Sequence, residues 1–238
     1  MPHNKIKDAF LSAVNSVIAD PEQFAVNPEK DFTRQRKITP DTLISFLVSK
    51  GSSSARVEML DFWGLDQEMP SLPALNQQRA KLKPEALEAV LAGVNDSVSR
   101  LAGFPTSDDG YRYLAADGST TTFFSSPKLA PPQYFCSPGH SSSGVYCIHI
   151  NAFFDLDAHI YTDAILQPVH EKNEFGAFCD IVDRHGTLPG RKNVYIGDRG
   201  YCSYNNMAHV VEQGQYFLFR TKDIHSKGLV GNFEFPET

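Results

Sequence analysis

The chain has 238 residues, of which 41% are hydrophobic and 21% are charged, and its formal net charge is −6. This length allows one large domain or two small ones. No apolar run approaches the roughly 20 residues of a membrane-spanning helix, and the first residues lack the apolar segment of a signal peptide. The four cysteines are scattered without a C-x-x-C pair, which is typical of reduced thiols. We therefore expect a soluble intracellular protein with no membrane partner.

The distribution of charge is less uniform than the total. A net charge of −6 excludes a generally basic, nucleic-acid-coating surface. Between Lys30 and Lys83, however, nine Lys or Arg residues stand against six acidic residues. This local excess is compatible with a surface that faces phosphates, or simply with a solvated face.

The first hundred residues have the spacing of apolar side chains that is typical of helices. Pro40 and Pro84 suit first helical turns, and Ser54 and Ser71 are candidate N-caps. The predicted helices cover residues 5–19, 40–51, 54–63, 72–82 and 84–101. A turn-rich stretch at residues 103–110 then marks a boundary. We predict two domains, residues 1–105 and 106–238.

Polar and basic side chains on the helix at 72–82 favour a DNA-binding role for the first domain. Three short helices of which the third is polar and basic are similar to a helix-turn-helix unit, and Gln and Arg bond base edges or phosphates. The alternative is a helical bundle with a solvated outer face. The candidate DNA-contacting residues on the third helix and on the basic connector before residue 40 are Arg34, Arg36, Lys37, Gln77, Gln78, Arg79 and Lys81.

After residue 110 the pattern changes to strands. Strands are predicted at 111–116, 145–154, 160–169, 193–197 and 216–220, and helices at 171–186 and 204–212. The first strand is expected to end in Asp117-Gly-Ser-Thr120, and a polar, proline-rich surface loop to follow it up to about Ser143. Three antiparallel strands followed by two parallel ones, each reached through a right-handed helical crossover, give the spatial order 3-2-1-4-5. The fold class predicted is an α/β RNase H-like core with this mixed sheet, preceded by an all-α helical domain.

Two aspartates are the candidate catalytic residues. Asp117 and Asp198 follow the first and fourth strands, which are neighbours about 4.8 Å apart in this order. Two carboxylates this close repel each other and require cations, and oxygen ligands favour Mg²⁺ or Mn²⁺. Such a centre catalyses phosphoryl transfer on nucleic acid. The cations near the same edge, which either hold backbone phosphates or are ordinary surface charges, are Arg199, Arg220 and Lys222.

Four other features of the sequence suggest alternative roles for these or nearby residues. Asp198 on its own suits a capping role at the following turn or helix. Cys136, His140, Cys147 and His149 invite a zinc site, but their spacing departs from the usual structural pattern. Asp163 lies inside a predicted strand, where it is either edge-facing or paired; a further alternative is that it supports the metal ligands from behind. An Asp-based phosphatase nucleophile at Asp117 would want a second Asp two residues on, where the chain has Ser.

Five segments, in register along most of the chain, also carry a resemblance. They are Thr33-Arg-Gln-Arg-Lys-Ile-Thr39, Gln77-Gln-Arg-Ala-Lys-Leu-Lys-Pro-Glu-Ala86, Ala115-Ala-Asp-Gly-Ser119, Tyr161-Thr-Asp-Ala-Ile-Leu-Gln-Pro168 and Gly197-Asp-Arg-Gly-Tyr-Cys-Ser-Tyr-Asn205. Together they resemble the DDE transposases of bacterial insertion sequences, in the group usually called IS-four.

The resemblance implies a function. In that family the first catalytic Asp lies in the Asp-Gly-Ser segment and the second in the Asp-Arg-Gly-Tyr segment, which here are Asp117 and Asp198. The family cuts and joins DNA strands at terminal inverted repeats with Mg²⁺ (or Mn²⁺). The implied partners are double-stranded DNA, both terminal repeats and target, and a second copy in a synaptic homodimer. The implied location is the bacterial cytoplasm, at the nucleoid.

The family's third carboxylate is a Glu on a helix beyond the last strand, in a Tyr…Arg…Glu…Lys pattern. Glu234 and Glu237 resemble instead the start of the β-rich insertion that precedes this helix. We therefore expect the N-terminal part of a transposase, truncated before the catalytic Glu and inactive as a fragment. The alternative is a non-catalytic DNA-binding or dimerising protein that inhibits transposition.

Overall fold

The computed structural model divides the chain into two compact units, Met1–Phe104 and Pro105–Thr238. The division falls one residue from the boundary predicted from the sequence. The residues that the structure describes are 3–34, 36–65, 69–101, 104–105, 107–126, 128–137, 144–186, 190–222 and 229–232. None of the helices in these ranges is long and apolar enough to cross a membrane.

The described part of the first unit is built from six helices. They are α1 (His3–Ile18), α2 (Pro21–Phe24), α3 (Pro40–Ser49), α4 (Ala55–Trp63), α5 (Leu72–Arg79) and α6 (Glu85–Ser99). Each amphipathic helix turns its apolar stripe inward, so that Val14, Ile44, Met59 and Val90 meet in one core. Proline begins α2 and α3, where its missing N–H costs nothing. Asp20 is the N-cap of α2, and its side chain accepts the N–H of Glu22.

Helix α5 is shorter than predicted. It ends at Arg79 with Ala80 as its C-cap, so Lys81 lies beyond the helix and not on it. The chain there turns into an extended bridge between Ala25 and Leu82, in which the Val26 N–H donates to the Lys81 carbonyl at 2.9 Å. Backbone pairing with a segment more than fifty positions away has overridden the local helical preference.

The second unit is a mixed sheet covered on one face by two helices. Its elements are β1 (Tyr111–Phe123), β2 (Phe135–Cys136), β3 (Val145–Asp155), β4 (Ile160–Pro168), α7 (Glu174–Arg184), β5 (Lys192–Gly197), α8 (Tyr204–Glu212) and β6 (Tyr216–Phe219). The five longer strands run in the spatial order β4, β3, β1, β5, β6, and β2 pairs with the start of β3. β1 is antiparallel to β3 and parallel to β5, and β5 is parallel to β6.

Strand β1 is twice as long as predicted. Its pairing with β5 ends at Ala116–Gly197, but its pairing with β3 continues to Phe123–Tyr146. Asp117 is therefore well inside a strand and not at its end. The expected surface loop up to Ser143 was wrong for residues 121–123 and for β2; residues 138–143 lie outside the described ranges.

Helices α7 and α8 bury one face of the sheet. Leu114, Phe153 and Tyr195 project from three neighbouring strands against Phe178 of α7 and Val210 of α8, and all five are at most 1% exposed. Alternation along each strand puts these residues on one face, as a half-buried sheet requires. The candidate catalytic residues lie where the pairing of β1 with β5 ends.

Candidate active site

The two predicted catalytic aspartates occupy equivalent positions on adjacent parallel strands. Ala116 pairs with Gly197 in the last registered step between β1 and β5; Asp117 is the next residue of β1, and Asp198 is the residue that follows β5. Both are exposed. Asp117 Oδ1 accepts the N–H of Gly118 at 2.9 Å, and Asp198 Oδ1 accepts the N–H of Gly200 at 2.8 Å. One carboxylate is therefore held by a strand and the other by a turn.

Gly197 allows Tyr201 to close over the end of β5. A Cβ built on Gly197 would lie 2.9 Å from the Cβ of Tyr201 and 3.2 Å from Phe219. The turn is closed by the Tyr201 N–H, which donates to the carbonyl of Asp198 at 3.0 Å. The glycine that precedes the second aspartate thus lets a buried tyrosine pack directly behind the carboxylate.

The Tyr201 ring identifies which acids lie around this edge. Its hydroxyl is buried and has no hydrogen-bond partner among the described residues. Burial raises the pKa of Tyr201 most, and the negative charges of Glu174, Asp117 and Asp198 raise it further. The negative charges of three carboxylates therefore raise the pKa of one phenol. One of these carboxylates, Glu174, was not among the predicted site residues.

Glu174 belongs to a polar group on the helix-covered face of β1. A Cβ built on Gly118 would lie 3.1 Å from Glu174 Oε1, 3.1 Å from His149 Nε2 and 3.3 Å from Asn151 Oδ1. The sequence singled out His149 only as a zinc candidate and missed Asn151 and Glu174. The available signal was the alternation in β3, since a polar side chain at every second position of a buried face is unusual.

The three predicted phosphate-binding cations of this unit are exposed. Arg199 follows Asp198 directly, and Arg220 follows β6, where its N–H donates to the carbonyl of Gly197 at 3.0 Å. The backbone of Arg220 is thus tied to the end of β5 that carries Asp198. Lys222 lies two residues further on.

In the first unit, a basic cavity gathers four of the predicted DNA-contacting residues, Arg34, Arg36, Gln78 and Lys81. Arg34, Arg36 and Lys81 line a cavity of about 400 Å³ together with Lys30 and Gln78. The other predicted residues in that unit, Lys37, Gln77 and Arg79, are exposed.

The prediction that Gln78 is an exposed DNA-contacting side chain was wrong. Gln78 is only 6% exposed, because it lies on the inward face of α5 beside Leu75, so it is not a free surface side chain. Its remaining access is through the cavity that it lines.

The other metal and acid candidates have different surroundings. Within the described ranges, no three His, Cys, Asp or Glu side chains are arranged to hold a metal ion. Cys147 is buried beside Cys136, and burial raises the pKa of its thiol, which favours the neutral form over a metal-binding thiolate. His140 lies outside the described residues. Asp163 is paired with Arg184, whose Nε lies 2.8 Å from Asp163 Oδ2.

The carboxylates of Asp117 and Asp198, where the pairing of β1 with β5 ends, suit a hard cation. Two carboxylates at one sheet edge supply oxygen ligands of the kind that Mg²⁺ and Mn²⁺ prefer, and both are accessible to solvent. A mixed sheet with helices and such an edge is compatible with an RNase H-like transposase domain.

Comparison with known families agrees with this class. The model of the transposase DDE domain matches residues 108–230, which is more than half of the chain. The chain therefore belongs to the DDE transposase family, whose members are nucleases and strand transferases that generally use divalent metals. No curated protein matches the chain in a corresponding search.

Proposed function

We propose that this chain is a DNA transposase of the IS-four group that cuts and joins strands at the terminal inverted repeats of an insertion sequence. The observation that carries the proposal is the equivalent position of Asp117 and Asp198, each one residue beyond the Ala116–Gly197 pair. In this proposal the two carboxylates hold Mg²⁺ or Mn²⁺. The metal, when bound, activates the attacking water or 3′-hydroxyl and stabilises the leaving oxygen of the phosphodiester.

The protein's own residues position the DNA around this edge. Arg199 follows Asp198, and the backbone of Arg220 is bonded to Gly197; in this proposal both side chains bind DNA phosphates near the reacting bond, since guanidinium groups match phosphate oxygens. Lys222 extends the same positive edge. The Gly200 N–H fixes one oxygen of Asp198 and leaves the other available, so the carboxylate enters the reaction already oriented.

DNA binding by the first unit is supported by its basic cavity. Lys30, Arg34, Arg36 and Lys81 surround it with only one acid, Glu29, and none of these four cations forms an ion pair within the described part of the chain. Phe32 has φ 59°, a strained value for a bulky residue, and its ring lies beneath Lys81 at 5.9 Å. Four unpaired cations around one concave surface favour a phosphate backbone as their partner.

A second candidate function is DNA binding without cleavage, by a chain that pairs with an active transposase and inhibits it. This second function is favoured because the basic cavity and the carboxylate pair lie in different units, so the residues proposed to bind DNA are not those proposed to cleave it. Two carboxylates are also a weaker ligand set than three. We therefore infer that this chain by itself binds Mg²⁺ weakly and cleaves little DNA. We also propose that the active state of the transposase is a synaptic homodimer.

The test combines a gel shift with a cleavage assay on DNA that carries the inverted repeats flanking the gene. We expect a shift that weakens steeply between 50 and 200 mM salt, by about 10-fold or more for each few phosphates contacted. Arg34→Gln should weaken the shift, whereas Asp117→Asn should leave it intact. No shift at any salt would exclude both functions. Mg²⁺-dependent nicking that is lost in Asp117→Asn would exclude the inhibitor and the inferred inactivity.

A further inference from the structure

Two buried polar atoms beside the proposed catalytic edge have no hydrogen-bond partner. His149 Nε2 and Asn151 Oδ1 are both unpaired among the described residues, and each residue is 2% exposed. An unpaired buried polar atom costs about 1–3 kcal/mol, so two of them on one face of β3 require a cause. Glu174 Oε1 lies 3.2 Å from His149 Nε2 without the alignment of a hydrogen bond.

The orientation of the Asn151 side chain is fixed from behind. The N–H of Asn173 donates to Gln167 Oε1 at 2.9 Å, which identifies that atom as an acceptor. Asn151 Nδ2 donates to the same oxygen at 3.1 Å. The carbonyl oxygen of Asn151 is consequently the atom that points toward Gly118.

His149 has the corresponding arrangement. Its Nδ1 lies 3.0 Å from the hydroxyl of Thr120, the residue opposite it in the β1–β3 ladder. In the tautomer that a cation site requires, Nδ1 carries the proton and donates to the Thr120 hydroxyl, so that Nε2 presents a lone pair. Three acceptors then converge over Gly118: an imidazole nitrogen, an amide oxygen and a carboxylate oxygen, each 3.1–3.3 Å from the position of a Cβ.

A cation satisfies such a group better than water does. A water molecule would satisfy the two buried acceptors, His149 Nε2 and Asn151 Oδ1, but not the charge of Glu174, which Lys172 Nζ approaches only to 3.8 Å. A divalent cation satisfies all three, and the absence of a Cβ at Gly118 leaves the space for it. The Glu174 side chain is 34% exposed, which gives the ion an entry and one ligand that can move inward.

We propose that His149, Asn151 and Glu174 form a cation site of their own, which takes a divalent transition metal such as Mn²⁺. The imidazole nitrogen favours such a metal over Mg²⁺. The site differs from the Asp117–Asp198 pair, because alternation along β1 directs Asp117 to the face opposite Gly118. The proposal goes beyond the proposed transposase function and does not depend on it.

The test measures Mn²⁺ binding to the whole chain by electron paramagnetic resonance, which separates free from bound Mn²⁺. Glu174→Gln should weaken binding at this site at least 10-fold, and Gly118→Ala should do the same by filling the space while keeping every ligand. Glu171→Gln is the matched control, since this exposed carboxylate lies only three residues away. Its Mn²⁺ affinity should equal that of the wild type.

Imidazole ligation has its own signature. Pulsed resonance should detect ¹⁴N coupling to bound Mn²⁺ that disappears in His149→Gln and persists in Asp117→Asn, which keeps this site separate from the proposed catalytic pair. In the Asp117→Asn variant, which removes the proposed catalytic pair, Mn²⁺ should still raise the melting temperature, and adding Glu174→Gln should abolish that rise. Absence of ¹⁴N coupling in the wild type, or unchanged Mn²⁺ affinity in both Glu174→Gln and Gly118→Ala, would overturn the proposal.

Discussion

The ion pair between Arg112 and Asp155 makes the sharpest stability prediction. Arg112 Nε lies 2.7 Å from Asp155 Oδ2, and the two side chains are only 8% and 1% exposed. The other oxygen of Asp155 accepts the N–H groups of Asp157 and Ala158 at 3.0 and 2.9 Å, so the same carboxylate holds the β3–β4 turn. We predict that Asp155→Ala strongly destabilises the second unit.

The magnitude follows from the burial of the pair. Removing one partner of a buried pair leaves an uncompensated charge and costs about 3–5 kcal/mol. Two turn hydrogen bonds are lost as well, although they are not strictly additive with that cost. Asp155→Asn keeps an oxygen for the turn and removes only the charge, so its loss should be smaller than that of Asp155→Ala.

The measurement is urea unfolding followed by far-ultraviolet circular dichroism. Trp63 lies in the first unit, so its fluorescence reports the unfolding of that unit separately. Asp163→Ala is the matched control, because its partner Arg184 is 47% exposed and such pairs contribute less than about 1 kcal/mol. A loss below about 1 kcal/mol in Asp155→Ala, or one equal to the control, would refute the reasoning.

Three further predictions concern the same unit. Burial, and then the charge of Arg112, lower the pKa of His185 to about 4. Below about pH 6.5 the unfolded chain therefore binds a proton that the folded chain does not, and the stability present above pH 6.5 is lost toward pH 4 by about 1.4 kcal/mol per pH unit. His185→Phe should flatten this slope in thermal melts taken across that range. Gly197→Ala should cost about 1–3 kcal/mol in urea unfolding, since its Cβ would meet that of Tyr201 at 2.9 Å; an unchanged midpoint would contradict this packing. Phe178→Ala should cost about 3–5 kcal/mol in the same assay, because the ring is 1% exposed at the centre of the core, and a loss below 1 kcal/mol would exclude that role.

Local patterns were sufficient to predict several elements of the second unit. The strand predicted at 193–197 is β5 at Lys192–Gly197, and the helix predicted at 171–186 is α7 at Glu174–Arg184. In both, apolar residues recur with the period of the element and a glycine or polar cap marks an end. Short-range information is enough where the signal itself is short-range.

The length of β1 was missed because its support is distant. Residues 117–123 read as polar turn and loop, although three consecutive threonines favour a strand. What extends the strand is the ladder with β3, which pairs Thr122 with Cys147 and Phe123 with Tyr146 across more than twenty positions. A half-exposed polar strand lacks the apolar alternation from which a strand is predicted.

The polar partners were missed for a related reason. Arg112 meets Asp155 from 43 positions away, and Glu174 meets His149 from 25. Nothing in the neighbourhood of any of these residues specifies its partner, because the register of the sheet and the entry of α7 create the contact. The first and second candidate aspartates were accessible to sequence reasoning only because each directly follows an apolar strand core.

The unequal lengths of β1 and β5 give the two aspartates different mechanical support. Asp117 remains in the ladder, opposite Ala152 of β3, whereas Asp198 has left its strand and is held by the turn that Gly200 and Tyr201 close. A residue paired in a strand ladder moves less than a turn residue. In the proposed function, Asp117 is therefore the rigid reference of the pair, and Asp198 is the carboxylate that adjusts as DNA binds.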